Sequence, residues 1–168
     1  KVTYLEPSED GIISGEEIKE ALTKDTILVS IMYANNEIGT VEPIKEIGKV
    51  IREYQNNEKK EIYFHTDASQ AGNYFSISPT RLGVDLLTLD ATKIYGPKGA
   101  GLLYVKEGVR ITPIIYGGGQ ENGLRSGTEN ISGIVGMAKA FSIVQRDVEK
   151  ESNRLNALRD YCIERIKK

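Results

Sequence analysis

Lys93 lies where an apolar segment gives way to a loop of glycine and proline. Residues 84–89 (VDLLTL) have the composition of a strand, and Gly96 and Pro97 follow the lysine within four positions. A lysine at the edge of a packed sheet is partly desolvated, and desolvation favours the neutral amine that attacks aldehydes. Lys93 is therefore a candidate for Schiff-base chemistry, although lysines at strand ends are also common surface residues.

A carboxylate accompanies this lysine at the end of another predicted strand. Residues 62–66 (IYFHT) have the composition of a strand, and Asp67 follows directly. An anion beneath a pyridinium nitrogen and an amine for an aldehyde are the two groups that pyridoxal phosphate needs from a protein. Asp67 also suits the N-cap of a helix, and the two roles are compatible. Asp67 and Lys93 together predict a pyridoxal phosphate site.

The elements that must position these residues alternate between helix and strand. In order, the sequence predicts a helix at 15–24, a strand at 27–34, a helix at 43–54, strands at 62–66 and 84–89, and a short strand at 101–105. The run at 27–34 is almost continuously apolar, which favours a strand buried on both faces of a sheet. The strand at 101–105 follows a glycine turn too closely for a helical crossover, which predicts an antiparallel partner. This pattern is typical of an α/β domain with a mostly parallel sheet and flanking helices.

The helices of the sequence have recognisable starting residues. Ser14 and Glu17 have the spacing of a capping box at the first helix, and Pro43 suits the beginning of the second. Beyond Gly133 an apolar stripe of helical period continues to the end of the sequence, which predicts a long C-terminal helix. Cys162 lies on this stripe, so we expect a buried and unreactive thiol.

Five short segments match one enzyme family in the same order along the chain. They are NNEIGT at 35–40, HTDASQ at 65–70, TKIYGPKG at 92–99, GGGQE at 117–121 and LRSGT at 124–128. Together they resemble the cysteine desulfurases of the NifS/IscS type, which are class V enzymes of pyridoxal phosphate fold type I. The resemblance implies that residues 1–147 are part of a fold-type I transferase large domain that binds the cofactor. It also implies that residues 148–168 begin a long helix leading to a small C-terminal domain outside this sequence.

The resemblance assigns roles around the cofactor ring. It implies that Lys93 forms the Schiff base and moves the α-proton of the substrate, and that Asp67 keeps the ring nitrogen protonated. Gln70 and Asn36 stand where relatives contact the phenolic oxygen of the cofactor, although both residue types are also common in turns. His65 precedes Asp67 by two positions in a strand and faces the same side, so we expect it to support the site by hydrogen bonding.

The resemblance also assigns residues to the cofactor phosphate. Thr92 and Thr128 stand where relatives donate hydrogen bonds to this group, and the position of Thr128 implies a homodimer in which it reaches the partner's site. The segment around Thr128 is equally compatible with a turn and a helix cap. Relatives carry serine and histidine where this chain has Asp90 and Thr92, and a carboxylate repels a phosphate. We therefore expect Asp90 to point elsewhere or to accept a hydrogen bond from a backbone amide.

The function that the resemblance implies is the conversion of L-cysteine to L-alanine, with the sulfur passing to a scaffold protein for iron-sulfur cluster assembly. Desulfurases use a cysteine thiolate on a mobile loop to take this sulfur as a persulfide. Cys162 is the only cysteine in the sequence and is not expected to fill this role. A fragment without that loop is expected to be inactive. Two alternatives stay open: another class V enzyme, such as a selenocysteine lyase or an aminotransferase, and a non-catalytic scaffold of the same fold.

Composition limits the kinds of partner. The 168 residues carry a formal net charge of -2, and their lysines and arginines are dispersed, which gives no basic surface for nucleic acid. The apolar fraction of 39% is ordinary for a globular domain, and no run suggests a membrane span or a signal peptide. A single cysteine suits a reducing compartment. We therefore expect a cytoplasmic protein with a small-molecule substrate and no metal site.

Overall fold

The computed structural model describes residues 1–167, which form a mixed sheet with flanking helices. The helices are α1 (Gly15–Ala21), α2 (Ile44–Glu58), α3 (Pro79–Leu82), α4 (Ile131–Arg146) and α5 (Val148–Ile166). The strands are β1 (Leu28–Met32), β2 (Tyr63–Asp67), β3 (Leu86–Asp90) and β4 (Gly101–Val105), and 3₁₀ turns occupy Thr92–Ile94 and Glu121–Gly123. The predicted α/β class is confirmed.

The sheet has the order β1-β2-β3-β4. Strands β1, β2 and β3 are mutually parallel, and β4 pairs antiparallel with β3, as the glycine turn predicts. The register places Met32 of β1 and Thr88 of β3 on either side of Asp67, the last residue of β2. The carboxyl ends of the three parallel strands therefore lie along one edge of the sheet.

Strand β1 is the edge of this sheet, and the prediction that it is buried on both faces is wrong. Its residues alternate between exposed and half-buried, and Ile27 and Leu28 are exposed. Within residues 1–167, β1 pairs with β2 alone. The apolar side chains of β1 are therefore only partly covered. The apolar run at 27–34 correctly predicts a strand but not the position of that strand in the sheet.

Helices α1 and α2 supply much of the core. The Ser14 hydroxyl accepts from the Glu17 amide and the Glu17 carboxylate accepts from the Ser14 amide, so the predicted capping box is confirmed. Along α2, Ile47 and Ile51 are fully buried and belong to one apolar cluster with Phe64 of β2. Burying such side chains stabilises the fold by about 1.5–3 kcal/mol each.

The long C-terminal helix is divided in two at Asp147. This residue has φ -105° and ψ 9°, which interrupts the helix between α4 and α5. Met137 of α4 and Val148 at the start of α5 are buried, whereas Leu158 and Cys162 are exposed. The prediction of a buried Cys162 is wrong, because within residues 1–167 little packs against the second half of α5. No helix in this range is both long and apolar enough to cross a bilayer.

Candidate active site

The predicted site residues gather at the carboxyl edge of the parallel strands. Asn36 follows β1, Asp67 and Gln70 lie at and after the end of β2, and Thr92 and Lys93 follow β3. Ligands of open α/β sheets bind in the crevice beyond the carboxyl ends of their strands. The topology therefore brings five of the six predicted residues to the edge where a ligand is expected.

Asp67 ends β2 in a tight turn. Its Oδ1 accepts a hydrogen bond of 2.9 Å from the Ser69 amide, while the Ala68 amide donates to the Thr88 carbonyl at 3.0 Å. The segment that follows is a series of turns and not a helix, so Asp67 closes an Asx turn and does not act as an N-cap. The carboxylate is exposed at the site edge, where it can face a cationic ring nitrogen.

His65 connects the three parallel strands on the face that carries Asp67. Its Nδ1 lies 2.8 Å from the Ser30 hydroxyl of β1, and its Nε2 lies 2.9 Å from the Thr88 hydroxyl of β3. Burial lowers the pKa of His65, and the nearby Asp67 carboxylate opposes this by favouring the charged ring. The prediction that His65 makes hydrogen bonds beside the site is confirmed.

Lys93 sits at the centre of a 3₁₀ turn that is fixed by its neighbours. Ile94 is fully buried, and the Gly96 amide donates to the Ala91 carbonyl at 2.7 Å. Tyr95 has a left-handed backbone with φ 61°, and a Cβ at Gly96 would lie 2.8 Å from the Ala91 oxygen. The backbone around the lysine is therefore closely constrained.

The side chain of Lys93 projects from this turn and is exposed. The prediction that it is partly desolvated is wrong for the described residues, because the turn carries it beyond the end of the packed sheet. The turn therefore fixes the backbone from which the amine projects, while residues 1–167 do not supply the burial that activates a lysine as a nucleophile.

Asn73 holds the lysine turn from the neighbouring segment, and sequence reasoning missed it. Its side-chain amide donates to the Lys93 carbonyl, and the residue is 8% exposed. Its Oδ1 is buried and has no hydrogen-bond partner among the described residues. An asparagine between a glycine and a tyrosine has the composition of an ordinary turn, so no sequence pattern marks this contact.

Gln145 of α4 holds the segment that contains Asn73. Its Nε2 donates to the Gly72 carbonyl at 2.8 Å and to the Phe75 carbonyl at 3.0 Å, and its Oε1 accepts from the Ile77 amide at 2.8 Å. One side chain thus satisfies three backbone groups more than 65 positions away in sequence. Sequence reasoning missed this residue as well, since its partners are backbone atoms.

Asp90 accepts hydrogen bonds from Thr92. The Thr92 amide and the Thr92 hydroxyl each lie 2.6 Å from Asp90 Oδ1, so the prediction that Asp90 accepts from a backbone amide is confirmed. Both hydrogen bonds lower the pKa of Asp90, and the one from the hydroxyl has the larger effect. The carboxylate therefore stays ionised. The hydroxyl of Thr92 is committed to this carboxylate in the structure.

Asn36, Gln70 and Thr128 are less constrained. Asn36 is exposed in a turn that the Asn35 side chain closes by accepting from the amides of Glu37 and Ile38, and Gln70 is half-buried. Thr128 is exposed in the loop before α4, and no hydrogen bond of its side chain joins it to the other site residues within 1–167. Asn36 and Gln70 therefore follow the carboxyl ends of β1 and β2, at the edge where Asp67 ends β2, whereas Thr128 lies in the loop before α4.

Comparison with known proteins identifies the family of the chain. The family model described as Aminotransferase class-V matches residues 1–168. The chain belongs to the aminotransferase class-V family. The cysteine desulfurase IscS of Dictyoglomus turgidum is 49% identical over 168 residues, which is 100% of this chain and 41% of that relative. The IscS of Clostridium botulinum is 51% identical over 166 residues, covering 99% of this chain and 40% of its own length.

Solved structures give the same result. A NifS-like protein superposes with a TM-score of 0.91 at 39% identity, over 98% of this chain and 44% of that one. The protein described as SspA in complex with cysteine superposes with a TM-score of 0.77 at 43% identity, over 83% and 39% of the two chains. The predicted resemblance to cysteine desulfurases and the fold-type I class are confirmed. The chain spans about two fifths of the length of the curated relatives that it matches.

Proposed function

We propose that this class-V chain is part of a pyridoxal phosphate-dependent cysteine desulfurase, which removes sulfur from L-cysteine and leaves L-alanine. The observation that carries the proposal is the placement of Asp67 and Lys93 beyond the carboxyl ends of adjacent parallel strands. Two findings support the choice of substrate. The chain is similar to a cysteine desulfurase over all of its 168 residues, and a solved relative is described as a complex with cysteine.

The side chains at the strand ends have the chemistry that suits pyridoxal phosphate. Asp67 offers an exposed carboxylate for the ring nitrogen, Lys93 offers an exposed amine for the aldehyde, and Gln70 and Asn36 offer amides for the phenolic oxygen. When bound, the cofactor supplies an electron-withdrawing ring that weakens the bonds of the substrate α-carbon. The residues present therefore fit the ring and the aldehyde of this cofactor.

Lys93 and Asp67 carry the proton and charge chemistry of the proposed reaction. The Nζ atom of Lys93 anchors the cofactor at rest, and as a free amine it takes and returns the proton at the substrate α-carbon. The Asp67 carboxylate keeps a proton on the ring nitrogen through charge attraction. His65 of β2 bonds to Ser30 of β1 and to Thr88 of β3. These hydrogen bonds limit the movement of β2 relative to β3, the strands that carry Asp67 and Lys93 at their ends.

The phosphate is proposed to lie near Thr92 and Thr128. Thr92 offers its hydroxyl only if this group turns away from Asp90, since the structure commits it to that carboxylate. Thr128 is proposed to act in a homodimer, in which each chain lends it to the site of its partner. The exposed position of Thr128 leaves it free of burial within residues 1–167 and suits this arrangement.

The sulfur transfer itself needs a thiolate. A cysteine thiol that accepts sulfur from L-cysteine becomes a persulfide, while the C–S bond breaks and the remaining carbon takes a proton to give L-alanine. Cys162 lies exposed on α5, and no contact places it near Lys93 within residues 1–167. We propose that another cysteine of the whole protein accepts the sulfur, and that a scaffold protein for iron-sulfur clusters receives it in the cytoplasm.

The test uses the longest gene product that contains this chain, because the chain alone spans only part of its relatives. The purified protein with pyridoxal phosphate is expected to show a visible absorbance band. With dithiothreitol added to reduce the enzyme persulfide, it is expected to release alanine and sulfide in equal amounts from L-cysteine. Lys93→Ala is expected to abolish both, whereas Lys98→Ala, an exposed lysine in the same loop, leaves both in place. A wild-type protein without the band would favour the scaffold alternative, and one that acts only on selenocysteine would favour a lyase.

A further inference from the structure

Asn73 makes a contact that its position in the fold does not require. It lies in the turn segment after β2, yet its side-chain amide crosses to the Lys93 carbonyl, twenty positions further along the chain. The residue is 8% exposed, so its amide group is held away from water. The contact joins the segment after β2 to the backbone of the residue that the proposed function makes catalytic.

The carbonyl oxygen of the Asn73 side chain lacks a hydrogen-bond partner within residues 1–167. Asn73 Oδ1 is buried without a hydrogen bond within the described residues. A buried and unpaired acceptor destabilises a folded protein, and an apolar side chain of the same size would avoid this cost. An asparagine here therefore has a role beyond packing, and within residues 1–167 the only hydrogen bond that its side chain makes is the one to Lys93.

The segment that carries Asn73 is itself fixed from α4. Gln145 binds the Gly72 and Phe75 carbonyls, which flank Asn73, and also the Ile77 amide. On the other side, a Cβ at Gly72 would lie 2.8 Å from Ile94, which shows how closely this segment approaches the lysine turn. The chain of contacts runs from α4 through Gln145 to Asn73 and then to Lys93.

We propose that Asn73 is a positioning residue, which sets the place of the Lys93 backbone, and hence of its amine, by donating to the Lys93 carbonyl. The proposal rests on the proposed function, since it takes Lys93 as the cofactor lysine. Residues 92–94 form a single 3₁₀ turn, so one hydrogen bond at its centre governs the direction in which the lysine side chain leaves the backbone. A small displacement of a reacting amine lowers the rate of a reaction strongly, because productive geometry is narrow.

The test compares Asn73→Leu with wild type in the longest gene product that contains the chain. Leucine keeps the size of the side chain and removes the unpaired Oδ1 together with the donor, so one unpaired acceptor, Oδ1, is exchanged for another, the Lys93 carbonyl. The urea midpoint of unfolding is therefore expected to stay within error of wild type. Hydrogen exchange at the amides of residues 92–96 is expected to accelerate, and kcat is expected to fall by about tenfold to hundredfold with a smaller change in KM.

Two further variants make the test specific. Asn57→Leu makes the same change at an exposed site of α2 and is expected to alter none of these quantities. Asn73→Ala removes the same donor with a smaller side chain, so it is expected to reproduce the effects on exchange and kcat if the leucine variant fails to fold. The pH midpoint of the visible band of the bound cofactor is also expected to shift in both Asn73 variants.

The outcomes separate this inference from the proposed function. Unchanged exchange at residues 92–96, or a loss of stability with kcat and the band unchanged, overturns the positioning role. If wild type itself shows no band, the proposed function fails. The hydrogen-exchange data alone then decide whether Asn73 holds the turn at residues 92–94. Faster exchange at 92–96 in the variants then still supports Asn73 as the residue that holds the turn, and unchanged exchange refutes it.

Discussion

Asp90 binds Thr92 through both of the hydrogen-bond donors that this threonine owns, its amide and its hydroxyl, each at 2.6 Å from the same carboxylate oxygen. The pair immediately precedes Lys93 and places an ionised carboxylate beside the proposed phosphate position. A phosphate at this position therefore meets a negative charge and a threonine whose hydroxyl is already in use.

Removing the charge of Asp90 is expected to strengthen cofactor binding. Asp90→Asn keeps an oxygen that can accept from Thr92 while it removes repulsion of the phosphate. One unit charge at about 4 Å in a water-like environment contributes about 1 kcal/mol, so the apparent Kd for pyridoxal phosphate should fall about fivefold. Titration of the visible band measures this, and weaker binding in Asp90→Asn would place the phosphate elsewhere.

The single histidine of the chain should make stability depend on pH. Burial holds the pKa of His65 below its usual value, despite the opposing attraction of Asp67. The folded state therefore favours the neutral ring, and the free energy of unfolding should fall as pH decreases below about 6.5, the value of the unfolded chain. Urea unfolding between about pH 7 and pH 5.5 should show this decline in wild type. The decline should be smaller in His65→Gln, and an equal decline in both proteins would assign it to other groups.

Asp85 forms the most buried charge cluster of the chain, at the end of the sheet opposite the site. It is 3% exposed, and it binds Arg52 Nη2 at 2.6 Å, the Phe64 amide at 2.9 Å and Lys106 Nζ at 3.3 Å. Burial alone raises the pKa of Asp85, but the hydrogen bonds from Arg52 and Phe64 outweigh it and lower the pKa. The stability from this carboxylate is therefore present at neutral pH and is lost as pH falls through the lowered value.

Breaking this cluster is expected to destabilise the fold without direct effect on the site. Asp85→Ala leaves the Phe64 amide without a partner and removes the carboxylate that balances the charge of Arg52. This should lower the free energy of unfolding by about 3 kcal/mol. The control is Lys106→Met, whose more exposed ion pair should contribute less than about 1 kcal/mol. Chemical denaturation distinguishes the two, and equal losses would contradict the assignment of the stability to burial.

Gln145 is expected to contribute strongly to the free energy of unfolding. Gln145→Leu leaves the buried Gly72 carbonyl, the Phe75 carbonyl and the Ile77 amide without their partner. The free energy of unfolding should fall by about 2–3 kcal/mol, against less than about 0.5 kcal/mol for Ser142→Ala on the exposed face of α4. A loss below 1 kcal/mol, measured by urea unfolding, would mean that water replaces the glutamine.

Local patterns in the sequence predict much of this fold. The capping box of Ser14 and Glu17, the apolar face of α2 and the bounds of β4 all depend on residues that are near each other in the chain. The strand-end positions of Asp67 and Lys93 follow from the same alternation of helix and strand. Local propensity and periodicity suffice wherever the determining neighbours are close in sequence.

Long-range contacts account for the features that the sequence did not predict. The edge position of β1 depends on which strands pair with it, and the exposure of Cys162 depends on what covers α5. Asn73 and Gln145 act on backbone atoms 20 and about 70 positions away, and such contacts leave no periodic pattern. The Asp90 carboxylate is an exception, because its acceptor role follows from its spacing of two residues from Thr92.

The proposed function depends on Lys93 being the lysine that binds pyridoxal phosphate, and a labelling experiment can identify that lysine. The longest gene product containing this chain is incubated with pyridoxal phosphate, reduced with borohydride and digested, and the labelled peptide is sequenced by mass spectrometry. We expect the label on Lys93 alone, with no label in Lys93→Ala and an unchanged label in Lys98→Ala. A label on any other lysine, or no label in wild type, would contradict the assignment of Lys93 and with it the proposed reaction.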